Sequence, residues 1–63
     1  MNTNKETAET IEEIKENVRW IKEISGWINR NIQDDDISSL LQNWNTMNEN
    51  IELLYNYIKS INE

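Results

Sequence analysis

Between Ile37 and Ile61 the apolar residues fall at Ile37, Leu40, Trp44, Met47, Ile51, Leu54, Ile58 and Ile61, in alternating steps of three and four. This is the a/d pattern of a heptad, and it sets these side chains on one stripe of an α-helix. No Gly or Pro interrupts it. An earlier stretch repeats the pattern at Ile11, Ile14, Val18, Ile21, Ser25, Ile28 and Ile32. Its phase is kept across Ser25-Gly26, so one continuous helix is expected there, although Gly inside a helix costs about 1 kcal/mol relative to Ala. The alternative is a helix capped by Gly26, with a separate turn from Trp27 to Ile32.

The ends of these helices carry their own signals. Thr3-Asn4-Lys5-Glu6 has the form of a capping box, and Thr10-Ile11-Glu12-Glu13 repeats it, with the earlier start preferred. Glu6, Glu9, Glu12 and Glu13 crowd the beginning of the first helix, where its dipole favours acids. Gln33-Asp34-Asp35-Asp36 marks the break, because Asp residues make poor helix but good caps and turns, and Asp35 or Asp36 is expected to cap the second helix. The pattern predicts a first helix over about residues 4–32, a turn at 33–36 and a second helix over about 36–61.

A turn this short makes the two helices antiparallel neighbours. Folded about residues 34 and 35, the chain sets Ile28 opposite Leu40 and Leu41, Ile21 opposite Met47, Val18 opposite Ile51, and Ile14 opposite Leu54. Ile11 then meets Ile58, and small Ser25 faces Trp44, a large-against-small arrangement that gives Ser25-Gly26 a packing role. The predicted fold is all-α, a single antiparallel αα-hairpin domain, with two hairpins expected to pair into a four-helix bundle.

Size supports that pairing. A chain of 63 residues is one domain with a small core, and such domains usually add disulfides, a metal or a partner chain. The absence of Cys and His leaves the partner chain as the common staple. The net charge of −6 disfavours direct nucleic-acid binding and docking on anionic membranes. No apolar run reaches spanning length and the first residues lack signal-peptide character, so a cytoplasmic protein is expected.

The a/d seam leaves other large apolar residues over. Trp20, Ile24 and Trp27 occupy heptad positions c, g and c, and Leu53 and Tyr57 occupy c and g of the second helix. In an antiparallel pair these five share one side of the hairpin, as a diagonal band suited to a homodimer or to docking another protein. Leu41 and Tyr55 lie on the opposite flank with Lys15, Lys22 and Asn29. The acids Glu9, Glu12, Glu13, Glu16, Glu23, Glu49 and Glu52 sit mostly on outer positions and read first as a solvated face.

Chemistry is otherwise sparse. Asp34-Asp35-Asp36 lacks the alternating oxygen ligands, central Gly and distal Glu of a calcium loop, so capping is the better account. Ser25, Ser38, Ser39 and Ser60 have no His or Cys to activate them, and no pocket for a carboxylate pair is indicated. No enzyme activity, cofactor or metal is expected. The expected function is stoichiometric binding: a small acidic regulator or inhibitor of a larger protein, of the kind phages and mobile elements encode. One alternative is a protein that sequesters a small nucleotide signal, using Trp20, Trp27, Trp44, Tyr55 and Tyr57 with Arg19 and Arg30. Another is an inhibitor whose acidic face mimics DNA.

Overall fold

In the computed structural model, which describes residues 4–62, two α-helices run antiparallel: α1, Asn4–Gln33, and α2, Ile37–Asn62. They form a rod of 51 × 15 × 11 Å. Helix α1 begins at the earlier of the two candidate starts. Thr10 is therefore an interior residue, and its hydroxyl donates to the Glu6 carbonyl at 2.9 Å rather than capping. Thr3 of the first capping box lies outside the described residues. The helix passes through Gly26 without a break.

Three aspartates both end α1 and start α2. Asp36 N–H donates to the Asn31 carbonyl at 2.9 Å and Asp35 N–H to the Ile32 carbonyl at 3.3 Å. Asp35 between them is left-handed, with φ of 56°. This is a Schellman closure, which satisfies the last carbonyls of α1. Asp36 then serves α2. Its carboxylate accepts the Ser39 N–H at 3.2 Å, and its carbonyl accepts the Leu40 N–H at 3.0 Å. One residue thus closes one helix and caps the next, which is why the connection is so short.

The helices meet along a different edge from the expected a/d seam. The covered or half-covered residues of α1 are Thr7, Thr10, Ile14, Asn17, Ile21, Ile24, Ile28 and Asn31, and those of α2 are Ser39, Leu40, Asn43, Thr46, Met47, Asn50, Leu54 and Tyr57. Apart from Ser39 and Thr46 at c, these are d and g positions. The d residues Ile14, Ile21, Ile28, Leu40, Met47 and Leu54 are inside as expected, whereas Ile61, expected in the seam, is 39% exposed at the end of α2. Asn50 bonded to Asn17 keeps the antiparallel register within one residue of that expected. The a residues Ile11, Val18, Ser25, Ile32, Ile37, Trp44, Ile51 and Ile58 are all exposed. Trp44 is 52% exposed, so it does not fill a space above Ser25. A Cβ on Gly26 would meet nothing within 4 Å, so no close approach requires that glycine.

The rotation has a polar cause. Asn17 is 6% exposed, and its amide donates to Asn50 Oδ1 at 3.2 Å across the interface. Asn50 in turn donates to the Thr46 carbonyl at 2.8 Å. Nearer the turn, the Asn43 amide donates to Asn31 Oδ1 at 2.7 Å. Two Asn–Asn pairs at g positions thus hold the inner flank, with Ile24, only 1% exposed, between them. Binary patterning places asparagines outside, but a pair that bonds across the seam can be buried at modest cost. Asn17 Oδ1 has no partner within the chain.

Two outcomes test this account. Gly26→Ala should raise stability by about 1 kcal/mol in urea unfolding, since the helix is continuous and the site open. Replacing Asn17 and Asn50 together with Leu should stabilise by roughly 1–3 kcal/mol, because an unpaired buried carbonyl is removed. Asn50→Leu alone should destabilise, because it strands the whole Asn17 amide; a gain from that single change would contradict the pairing.

Candidate protein-docking groove

The aromatic band lies on one broad face of the hairpin. Residues at c are displaced to one side of the d/g contact in both helices, so Trp20 and Trp27 of α1 share a face with Leu53 of α2. Trp20 and Trp27, seven residues apart, stack edge to face with ring centroids 6.0 Å apart and planes at 73°. Trp20, Leu53 and Tyr57 line an open groove of about 400 Å³ with Glu12, Glu13, Glu16, Asn17 and Asn50. It continues along α1 past Glu16, Arg19, Trp20, Glu23 and Trp27.

Four of the five expected band residues are thus brought together, and Ile24 is not among them. Among the described residues it is the most buried side chain, because the helices turn their g positions inward and Ile24 occupies one. Tyr57 also sits at g, but its larger side chain reaches from the contact into the groove and is half-buried. Trp20 remains 52% exposed and Leu53 44%.

The groove is acidic, which the sequence pattern alone did not place. Glu13 of α1 lies beside Tyr57 of α2. A hydrogen bond from the phenol to the Glu13 carboxylate raises the Tyr57 pKa above its ordinary 10.0, with burial and the carboxylate charge acting in the same direction. The antiparallel register was the signal that could have found this pair, since it brings the first turns of α1 near the last turns of α2. Glu16 is partly neutralised by Arg19 at 3.1 Å, and Glu12 by Lys15 at 3.5 Å, both across exposed i,i+3 pairs. Among the described residues no group of three or more acids is placed to hold a metal ion. Nor, among the described residues, is any helix long and apolar enough to cross a membrane.

On the other broad face lie the a residues, from Ile11 to Ile32 on α1 and from Ile37 to Ile58 on α2. Leu41 and Tyr55 flank them, 63% and 60% exposed, and the Lys59 ammonium stands 5.9 Å from the centre of the Tyr55 ring. Compared with known protein families, characterised proteins and solved structures, the chain matches none.

The Tyr57–Glu13 contact has a pH signature. A phenol whose pKa is raised by folding contributes stability that is present below pH 10.0 and lost as pH rises through the folded value. Tyr57→Phe should therefore flatten the alkaline fall in stability followed by circular dichroism. An unchanged alkaline limb would place Tyr57 away from Glu13.

Proposed function

We propose that the protein acts by stoichiometric binding, as a small regulator or inhibitor that docks a larger protein through the Trp20–Trp27–Leu53–Tyr57 groove. The observation that carries this is the combination of exposed aromatic anchors with a carboxylate rim of Glu12, Glu13, Glu16 and Glu23. Large aromatic side chains supply most of the binding energy of protein interfaces. The rim selects for charge, so the fitting partner is a segment that carries Lys or Arg beside a large apolar residue. Its cations meet carboxylates and the faces of Trp rings, and its apolar side chain enters the groove. Such a role needs no cofactor and no catalysis, and it suits a cytoplasmic protein of phage or mobile-element type.

The two alternatives fit the groove less well. A nucleotide would place phosphates against Glu12, Glu13, Glu16 and Glu23, and Arg19 is already engaged by Glu16. A DNA mimic needs an extended line of free acids, whereas the acidic face here is interrupted by Arg19, Trp20 and Trp27.

Two synthetic amphipathic helical peptides with the same apolar face test the proposal, one cationic with Lys and Arg and one anionic with Glu. The cationic peptide should saturate the tryptophan fluorescence at one peptide per chain, and raised salt should weaken it. Trp20→Ala with Trp27→Ala should weaken binding by roughly tenfold or more, the loss of a single strong anchor being worth about that. Equal binding of both peptides, or undiminished binding by the double variant read by calorimetry, would remove the groove from the function.

A further inference from the structure

We propose that the a residues Ile11, Val18, Ile32, Ile37, Trp44, Ile51 and Ile58 form the face on which a second copy of this chain packs, closing a four-helix bundle. The dimer is thus assigned to the face opposite the aromatic groove, and the groove stays free. The proposal does not rest on the groove's function.

Successive residues lie about 100° apart around an α-helix, so d and g are about 60° apart, and a lies about 60° beyond d on the other side. The neighbouring helix sits between d and g. The middle of each a/d stripe therefore points about 60° away from that neighbour, toward one broad face of the hairpin. In a square bundle each helix has its two neighbours at right angles, with the bundle axis about 45° from either. Both stripes point at such an axis, and the hairpin supplies only one side of the square. The other side needs two more antiparallel helices with the same stripe, which is what a second copy provides by two-fold symmetry.

Two copies of a −6 chain repel unless their contact excludes the acids. In both helices Asp and Glu are absent from every a, d and e position; those of α1 and α2 among the described residues stand only at b, c and f. The charged residues that border the stripe at e are Lys15 and Lys22. The aromatic groove is the reverse case, because a second copy seated there would set Glu12, Glu13, Glu16 and Glu23 against their own kind.

The rod exposes 5105 Å² at a mass of 7.6 kDa, whereas a compact monomer of that mass exposes roughly 4,300 Å². The difference, about 800 Å², is what one partner contributes to a standard stable interface. A stripe along a rod 51 Å long supplies it.

Sedimentation equilibrium of the full chain should give twice the 7.6 kDa mass. The unfolding midpoint should rise with protein concentration, as it does when folding and assembly are linked. Trp20→Phe with Trp27→Phe leaves Trp44 as the sole tryptophan. Its emission should be blue-shifted and shielded from acrylamide in the dimer, and should move to the red on dilution in step with the mass. Ile51→Lys with Ile58→Lys should weaken assembly by roughly 100-fold or more, while Trp20→Glu with Trp27→Glu should leave the dimer intact. A wild-type chain that is helical and monomeric at about 100 μM would overturn the proposal. So would a dimer in which Trp44 stays accessible to acrylamide, or one lost in the Trp20/Trp27 variant. Peptide titration reads the groove and sedimentation reads the stripe, so either assignment can fail alone.

Discussion

The angle between each helix's apolar stripe and its neighbour governs this hairpin. If the a/d stripes had faced each other directly, two helices would have consumed most of the apolar surface, leaving a self-contained coiled coil. Instead the contact uses d and g, and the a residues stay in water. The consequence for energetics is direct. Among the described residues one apolar side chain, Ile24, is fully buried, worth roughly 1.5–3 kcal/mol, and the rest of the inner edge is half-covered or polar. A helix draws most of its stability from packing its apolar face. Here much of that face is left exposed by the second helix.

The asparagines set the angle. Asn17 with Asn50 and Asn31 with Asn43 are short, bond to each other across the interface, and would find no such partner in the aliphatic stripe. A polar pair in an apolar contact lowers stability but penalises other registers and rotations, since sliding either helix would leave amides buried and unpaired. The turn acts with them. Asp35 in the left-handed region and Asp36 shared between two helix ends leave little freedom in how α2 departs from α1.

Much of this was legible in the sequence because it depends on period and local chemistry. The extents of both helices, the break at the aspartates, the passage through Gly26 and the antiparallel register all follow from spacing and caps. The grouping of Trp20, Trp27, Leu53 and Tyr57 was legible too, since c and g positions of antiparallel helices share a side. The rotation was not. A heptad stripe reports where most apolar side chains point, which in a bundle of four is the common axis and not the nearest helix. Taken as the direction of the neighbour, it places Trp44 inside and Ile24 outside, the reverse of what the hairpin shows. Only the Asn pairs distinguish the two cases, and although these asparagines recur at heptad spacing, polar residues at g read equally well as a solvated flank.

Charge follows the same division. A chain that presents two apolar faces must keep them from competing for the same occupant. One face here is free of acids and aliphatic along its length, and suits a surface like itself. The other mixes tryptophan with glutamate, and suits a surface of opposite charge. Because the acids are confined to b, c and f, the electrostatic penalty of self-pairing falls on one face and is absent from the other. The placement of glutamates therefore sets the two faces apart in charge. Moving a single acid from c to a, with no change in net charge, would weaken that distinction more than deleting the acid altogether.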